Sequence, residues 1–256
     1  MLNKPNKSDI IFDIDGVLFK ENKLKIARKY GVFKMLWYLI THKKNPVKIG
    51  YNVLKKMHQR WGDNKKPALV YKKNPMPECI AQWMKGFITD KKLIDQIYKF
   101  IENLQKINFF ASEFEKNLIK QVIKIILDES EISKNMKPIS PMIELVHKIK
   151  QNGKHNLYIM SNYAKQAADY LIQNNKKFFS LFDDVIISAN IGMIKPDAEI
   201  FRYFFDKHNI TPEKCLFIDD QEQNITAAEK MGIESILFNH YEYYDTEKKL
   251  QELNII

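Results

Sequence analysis

Five short apolar runs, separated by segments of other character, limit what this chain can fold into. They read DIIFDID at residues 9–15, NLYIMSN at 156–162, DVIISA at 184–189, CLFIDD at 215–220 and SILF at 235–238. Short runs rich in β-branched residues predict strands that are buried on both faces. Between the later runs, segments such as PMIELVHKIKQNG carry apolar residues at helical spacing. Strand alternating with helix predicts an α/β fold with an open, doubly wound parallel sheet.

A long segment without a convincing strand separates the first run from the second. From about residue 20 to residue 135 the sequence offers helical patterns, among them KIARKYGVFKMLWYLI and KKLIDQIYKFIENLQ, and one irregular link, KKPALVYKKNPMPE. We therefore expect an α/β core from residues 1–19 and 136–256, and an all-helical domain from residues 20–135. A segment inserted at this point begins at the carboxyl end of the first strand, which is where open α/β sheets bind ligands. The inserted domain is expected to cap an active site.

Polar residues follow the apolar runs at the points where the strands should end. They are Asp13, Asp15 and Gly16 after the first run, Ser161 and Asn162 after the second, Lys195 in the loop beyond the third, and Asp219, Asp220 and Asn224 after the fourth. Residues i and i+2 of a strand point the same way, so the two acids of the first run should project into one crevice. Because neighbouring parallel strands end at one edge, five of these residues are expected to surround one cavity, namely Asp13, Asp15, Ser161, Lys195 and Asp220. Each piece taken alone also fits a calcium loop, a surface turn or a helix cap.

The four polar motifs, in this order, resemble those of the haloacid dehalogenase superfamily. They stand here as DIDGV, MSN, MIKPDAEIF and FIDDQEQN, and the similarity extends over residues 9–240. The resemblance implies a Rossmann-like core with a helical cap inserted after the first motif. The segments SNY, KPDAEIF and DDQEQN are most similar to the branch that contains bacterial sugar-phosphate phosphatases and the phosphatase domain of soluble epoxide hydrolases.

A phosphatase mechanism follows from the residue types and from the resemblance together. A carboxylate can attack phosphorus and form an acyl phosphate, and Asp13 is the expected nucleophile. The resemblance assigns to Asp15 the protonation of the leaving group and the later deprotonation of water. Dehalogenases of the superfamily lack that second acid, so its presence favours phosphoryl transfer. Between a hydrolase and a mutase the sequence does not decide.

Mg²⁺ is the expected cofactor, because clustered carboxylates and a phosphate repel one another unless a hard cation lies between them. The resemblance implies that Asp13, the backbone carbonyl of Asp15 and Asp220 hold the ion. It also implies that Ser161, Asn162 and Lys195 bind the phosphoryl oxygens. Gly16, Asp219 and Asn224 are expected to support these groups, and Asp219 and Asp220 are easily exchanged in a double-Asp motif.

The positive charge of the chain is concentrated in residues 17–75. This region has 16 Lys and Arg against two acids, while the whole chain has a formal charge of +10. A basic region of this kind is either an ordinary solvated surface of a Lys-rich sequence or a surface that attracts anionic partners. Those partners would be an anionic protein, a membrane surface or the phosphorylated substrate itself. The expected substrate is a phosphorylated small molecule, a phosphoprotein such as one bearing phosphotyrosine, or a lipid head group. Only three of the 41 basic residues are Arg, so sequence-specific nucleic-acid binding is not expected.

Two alternatives stay open at this stage. The core is either an active phosphatase or a catalytically weak scaffold whose basic cap binds a phosphorylated protein or an acidic membrane. The segment GVFKMLWYLITHKK at residues 31–44 is expected to form a core helix of the cap, and its flanking lysines also fit a membrane interface. No apolar run is long enough to span a bilayer, so we expect a soluble protein that is cytoplasmic at synthesis, with export without a cleaved signal left open.

Overall fold

The computed structural model describes residues 8–22, 33–61, 70–71, 74–239 and 242–256. The chain divides into two compact units, of which the first is Met1–Glu21 together with Met136–Ile256 and the second is Asn22–Asn135. The expected boundaries lay at residues 19/20 and 135/136. The role of the second unit as a cap stays a prediction.

The strands are short and most of them belong to the first unit. In chain order they are β1 (Asp9–Phe12), β2 (Phe19–Glu21), β3 (Val70–Tyr71), β4 (Asn74–Pro75), β5 (Met136–Pro138), β6 (Asn156–Ser161), β7 (Asp184–Ile187), β8 (Cys215–Asp219) and β9 (Glu234–Leu237). Five of them form a parallel sheet in the order β7-β6-β1-β8-β9. After β1 the chain adds β6 and then β7 on one side of it, and afterwards adds β8 and then β9 on its other side. The open end of such a sheet at this switch point is where α/β proteins place their ligands.

The helices complete both units. Those of the second unit are α1 (Phe33–His42), α2 (Pro46–Trp61), α3 (Glu78–Met84), α4 (Asp90–Gln105), α5 (Glu113–Leu127) and α6 (Glu129–Lys134). Those of the first unit are α7 (Ser140–Asn152), α8 (Lys165–Asn174), α9 (Lys176–Phe179), α10 (Ser188–Ile191), α11 (Ala198–His208), α12 (Glu222–Lys230) and α13 (Tyr243–Glu252), with a 3₁₀ turn at Pro212–Lys214. None of the helices within the described ranges is long and apolar enough to cross a bilayer.

Two apolar clusters cover the two faces of the five-stranded sheet. Ile10 and Phe12 of β1 pack into one cluster with residues of α7 and α8, whereas Ile11 packs into the other with residues of α11 and α12. Successive strand residues point to opposite faces, so a strand covered on both sides must be apolar throughout. The predicted fold class, an α/β fold with a Rossmann-like parallel sheet, is confirmed.

The second unit is built mainly from helices. Ser112 accepts a hydrogen bond from the backbone of Glu115 and so caps α5. Gly50 of α2 lies against α5, because a Cβ at this position would stand 3.2 Å from Val122. The absence of a side chain at Gly50 thus allows the two helices to approach closely.

Three details differ from the expectations drawn from the sequence. The region from residue 20 to 135 contains the pair β3–β4, and β2 pairs with β5 next to the boundary of the units. These strands have two or three residues and include Lys, Asn and Pro, so no apolar pattern marks them. Ser188 and Ala189 begin a short helix and do not extend β7. The expected helix at residues 25–40 is described only from residue 33, and residues 65–69 and 72–73 of the predicted link lie outside the described residues.

The segment at residues 31–44 departs most from its expected role as a core helix. Within α1 only Tyr38 is buried, while Phe33 and Trp37 face solvent. The helix forms as its periodicity predicts, but its apolar side does not enter the core of the unit.

Candidate active site

The first acid of the site lies directly after β1. The backbone amide of Asp13 donates to the carbonyl of Ile218, which extends the pairing with β8 by one residue. The chain then turns, with the amides of Leu18 and Phe19 donating to the carbonyl of Ile14. The sequence predicted that strand alternation places Asp15 beside Asp13. This explanation is wrong, because the strand ends at Phe12, before either acid. The turn that follows the strand brings the second acid to the same end of the sheet.

Lys195 lies at the centre of the site and is buried, with 1% of its surface exposed. Its ammonium stands 2.6 Å from Oδ2 of Asp219 and 2.9 Å from Oδ1 of Asp13, and it donates to the carbonyl of Met160 at 2.8 Å. A buried ammonium is stable only when it is paired and hydrogen-bonded. This lysine therefore ties together the ends of β1, β6 and β8.

Asn162 holds the backbone of Lys195 from both sides. Its Nδ2 donates to the carbonyl of Lys195 at 2.8 Å, and its Oδ1 accepts from the Lys195 amide at 2.8 Å. The side-chain amide predicted to bind phosphate is thus engaged with a peptide 33 residues further along the chain. The predicted role of Asn162 in phosphate binding therefore stays a prediction, and its side-chain amide is already hydrogen-bonded. Ser161 is buried next to it, and its hydroxyl hydrogen-bonds to the Asp13 carboxylate.

The two neighbouring acids after β8 differ sharply in their surroundings. Oδ1 of Asp219 accepts from the Gln221 amide at 2.8 Å, and both of its oxygens accept from Nδ2 of Asn224 at 3.0 Å. Together with Lys195, these donors occupy the carboxylate of Asp219, which is fully buried. Asp220 is exposed. The geometry therefore distinguishes a buried, fully hydrogen-bonded acid, Asp219, from an acid that is exposed to solvent, Asp220.

Gly16 makes room for the Asp220 carboxylate. A Cβ on Gly16 would lie 2.3 Å from Oδ2 of Asp220, and the backbone at Gly16 has a φ of +83°. Both the contact and the left-handed backbone exclude an ordinary side chain. The glycine of the first motif thus lets the end of β8 approach the loop after β1.

Electrostatic repulsion among the acids is visible in their pKa values. Burial and the charge of Asp219 raise the pKa of Asp13, while Lys195 and the Ser161 hydroxyl counteract part of that shift. Loss of solvation and the charges of Asp13, Asp219 and Asp15 raise the pKa of Asp220 to about 8, although its side chain reaches solvent. Burial lowers the pKa of Lys195, but the attraction of the two carboxylates outweighs it and leaves the value raised. The site has more negative charge than one lysine can compensate.

The donor set fits a hard divalent cation. Asp13, Asp219 and Asp220 each offer an oxygen, and these oxygens lie within 4.8 Å of one another. Oδ1 of Asp13 is buried near the Lys195 ammonium, yet no hydrogen-bond donor in the described part of the chain is aligned with it. Oxygen ligands and an excess of negative charge are what Mg²⁺ requires. Because the oxygens of Asp219 are already occupied, Asp13 and Asp220 are the carboxylates left for an ion.

All nine residues singled out in the sequence lie in the first unit, in the turn after β1, at the ends of β6 and β8, in the loop before α11 and in α12. Sequence reasoning missed the two groups that act through the backbone, namely the carbonyl of Met160 and the amide of Gln221. No side-chain pattern signals a contribution from a peptide group, so these contacts had no sequence signature.

Comparisons with known proteins agree with this geometry. A family model described as haloacid dehalogenase-like hydrolase matches residues 10–232. Bifunctional epoxide hydrolase 2 of Rattus norvegicus is 30% identical over 115 residues, which are 44% of this chain and 20% of that protein. Sesquiterpene phosphatase astK of Aspergillus oryzae is 28% identical over 98 residues, which are 38% of this chain and 49% of that protein. The chain therefore spans about half or less of the length of these relatives.

Solved structures share the fold over most of the chain. The HAD family enzyme bt-2542 of Bacteroides thetaiotaomicron, in complex with magnesium and inorganic phosphate, has a TM-score of 0.53 and 19% identity, and the match covers 92% of this chain and 96% of that one. The predicted resemblance is thus confirmed at the level of the family and the fold. With the family model matching residues 10–232, the chain belongs to the haloacid dehalogenase-like hydrolases.

Proposed function

We propose that the chain is a Mg²⁺-dependent phosphomonoesterase that forms an aspartyl phosphate on Asp13. The observation that carries the proposal is the meeting of Asp13, Lys195, Asp219 and Asp220 at one end of the parallel sheet. A nucleophile, a buried cation and an oxygen-rich cluster are the components that phosphoryl transfer needs. The similarity to a sesquiterpene phosphatase and to a fold relative solved with magnesium and inorganic phosphate supports the same chemistry.

In the first half of the reaction, a carboxylate oxygen of Asp13 attacks phosphorus and the bond from phosphorus to the ester oxygen breaks. Asp15 gives its proton to the departing oxygen, which leaves as an alcohol or phenol. Lys195, Ser161 and the backbone amide of Asn162 bind the phosphoryl oxygens, whose charge must be stabilised during transfer. The Lys195 ammonium and the Ser161 hydrogen bond also favour the ionised form of Asp13, which the attack requires.

In the second half, Asp15 takes a proton from water as that water attacks phosphorus. The bond from phosphorus to the Asp13 oxygen breaks, so inorganic phosphate and the free carboxylate are released. The same acid is a proton donor in the first step and a proton acceptor in the second. One turnover thus leaves both acids in their starting protonation states.

The carboxylates of Asp13 and Asp220 and the backbone carbonyl of Asp15 would hold the Mg²⁺ ion. When bound, the ion offsets the repulsion among the acids and neutralises charge on the phosphoryl group. Asp219 orients the site without serving as a ligand, because Asn224, Gln221 and Lys195 already occupy its oxygens. Gly16 leaves room for the Asp220 carboxylate, because any side chain at this position would displace it.

We further propose that the second unit, predicted from the sequence as a cap at residues 20–135, selects the substrate. The substrate is a phosphorylated small molecule, a phosphoprotein or a lipid head group. Among these, the similarity to a sesquiterpene phosphatase favours phosphate esters with an apolar body.

The test is release of inorganic phosphate from a panel of sugar phosphates, phosphotyrosine peptides, phosphoinositides and prenyl phosphates, with Mg²⁺ and after chelation with EDTA. We expect Mg²⁺-dependent turnover that Asp13→Asn abolishes, since an amide does not form the acyl phosphate. A matched control is Asp197→Asn, an acid after Pro196 that lies outside the proposed chemistry. Absence of turnover across the panel, together with intact binding of phosphorylated protein, would instead support the scaffold alternative.

A further inference from the structure

Helix α1 presents apolar side chains to solvent along one side. Phe33 is 85% exposed, Ile40 is 74% exposed and Trp37 is 54% exposed. Residues at positions i, i+4 and i+7 lie above one another on a helix, so these three side chains form one stripe. Leu36 is exposed next to them, and Phe114 of α5 extends the surface through an edge-to-face contact with Trp37. A continuous apolar surface of this kind marks an interaction site.

The opposite side of α1 fixes the helix to its own unit. Tyr38 is buried, and its hydroxyl donates to the carboxylate of Glu115 on α5. The Tyr38 ring also stacks on His42 with the ring centres 4.4 Å apart. Tyr38 lies about 140° around the helix axis from Phe33. The outward direction of the apolar stripe is therefore set by a buried contact on the other side.

Basic residues surround the stripe and acids are missing from the same part of the sequence. From residue 22 to residue 62 the chain contains 11 Lys and Arg and no Asp or Glu. Within the described part of that stretch, Lys34, Lys43, Lys44 and Lys48 are exposed on α1, on the turn after it and at the start of α2. Lysines that flank an apolar helix can lay their aliphatic chains along an apolar surface while their ammonium groups contact negatively charged groups beside it.

We propose that α1 and the lysines around it form a docking surface for an anionic phospholipid bilayer. A membrane interface offers the two environments that this surface needs, namely an apolar layer for Phe33, Trp37 and Ile40 and a negatively charged layer for the lysines. An acidic soluble protein would need an apolar patch of matching shape inside its acidic rim, whereas a bilayer offers both layers over its whole surface. Trp37 carries both an apolar ring and a polar N–H, and such side chains favour the interface between lipid and water.

The proposal concerns where the enzyme works and is independent of the reaction assigned to it. The docking residues lie in the second unit and the acids of the active site lie in the first. Membrane binding can therefore be measured with Asp13→Asn protein, and catalysis on a small soluble substrate can be measured without vesicles. Failure of either experiment leaves the other interpretable.

The test is sedimentation of the full chain with vesicles of phosphatidylcholine alone and of phosphatidylcholine mixed with phosphatidylserine. We expect binding to the anionic vesicles and little binding to the neutral ones. Phe33→Ser should weaken binding about tenfold or more, because a large apolar side chain no longer enters the bilayer. Lys34→Glu with Lys48→Glu should weaken it about 25-fold or more, since each lysine near an anionic surface contributes roughly fivefold.

Two matched variants separate a local effect from a general one. Phe87 is 66% exposed in the turn after α3, so Phe87→Ser removes the same kind of side chain from a different segment of the second unit. Lys148→Glu with Lys177→Glu makes the same change of charge at exposed lysines of the first unit. Both are expected to bind like the unmodified chain. Lys44 is left in place because it lies 3.6 Å from the buried carboxylate of Glu115.

Tryptophan fluorescence identifies the part of the chain that enters the lipid. The emission should shift to shorter wavelength on binding to anionic vesicles, and Trp37→Phe should abolish the shift while the protein still sediments. The proposal is overturned if the chain ignores anionic vesicles, or if Phe33→Ser binds them as well as Phe87→Ser does. It is also overturned if sedimentation velocity finds a dimer that Phe33→Ser dissociates, because a second copy would then cover the helix.

Discussion

Replacement of Gly16 by Ala tests whether the approach of Asp220 to the first motif matters for catalysis. Gly16 has a φ of +83°, and an added Cβ would stand 2.3 Å from Oδ2 of Asp220. Real Cβ contacts are almost never below about 3.0 Å, so the carboxylate must move by roughly 1 Å. A displacement of that size in an active site costs about 100-fold in rate. We therefore expect kcat/KM of Gly16→Ala to fall by about two orders of magnitude.

Gly232 provides a control for the cost to the backbone. It has a φ of +85°, but an added Cβ would meet only Pro212, at an ordinary 3.5 Å. Both alanine variants should lose about 1–2 kcal/mol of stability, because a left-handed backbone disfavours a side chain. Only the variant at Gly16 should lose activity, and it should also need more Mg²⁺ for half-maximal rate.

The assay is steady-state turnover on one phosphate ester, titrated with Mg²⁺, alongside thermal unfolding of both variants. The expected loss of stability corresponds to a fall in Tm of about 2–8 °C in each. A rate and an Mg²⁺ requirement of Gly16→Ala within about twofold of the original chain would refute a role for the close approach of Asp220 in catalysis. That role is also refuted if Gly232→Ala loses as much activity, since backbone strain alone would then explain the result.

Substitutions at three further positions probe contacts within one or the other unit. Asn162→Asp keeps the acceptor for the Lys195 amide but loses the donor to the Lys195 carbonyl, so its kcat should fall by about tenfold in the same steady-state assay. Asn162→Ala loses both hydrogen bonds, so its kcat should fall further. Lys195→Met leaves buried carboxylates without their cation, so urea unfolding should show a loss of about 3–5 kcal/mol together with loss of turnover. Tyr38→Phe removes the donor to buried Glu115 and should cost about 1–3 kcal/mol in the same measurement. Burial raises the pKa of Glu115, but the hydrogen bonds that its carboxylate accepts lower this pKa by more. The ionised carboxylate therefore stabilises the fold above the ordinary glutamate pKa of about 4.3, and this stabilisation is lost as the pH falls. Tyr38→Phe should make the urea midpoint less sensitive to acid, because one of these hydrogen bonds is gone.

The sequence predicted the sheet because its strands are covered on both faces. Ile10, Ile11 and Phe12 are all buried, so β1 appears in the sequence as an unbroken apolar run, and β6 and β8 do so as well. The antiparallel pair β2–β5 lacks this double burial and gave no such signal. Lys20 of β2 is exposed and Pro138 ends β5, and neither side chain suggests a strand.

The site was predictable where its residues follow strands and was not predictable where distant backbone decides the geometry. Asp13, Ser161 and Asp219 follow or end buried strands, so topology alone brings them together. The clamp between Asn162 and the Lys195 peptide joins residues 33 positions apart. It depends on the conformation of the loop before α11, which no periodicity encodes.

For α1, the sequence predicted the helix but not the direction in which its apolar side faces. The spacing of Phe33, Trp37 and Ile40 correctly predicts a helix with an apolar side. It does not reveal which way that side faces, because the same spacing serves a core and a docking surface. The buried contact of Tyr38 with Glu115 decides the orientation, and only the three-dimensional structure shows that contact.

The central claim is that Asp13 becomes phosphorylated during turnover. Its most direct test is mass spectrometry of the peptide that contains Asp13, after a rapid acid quench of the enzyme mixed with Mg²⁺ and a substrate that it hydrolyses. The account predicts a peptide that carries one added phosphoryl group, which hydroxylamine removes and which is absent from Asp13→Asn. Hydrolysis that proceeds in Asp13→Asn, or turnover in which no phosphoryl group is ever found on Asp13, would contradict it.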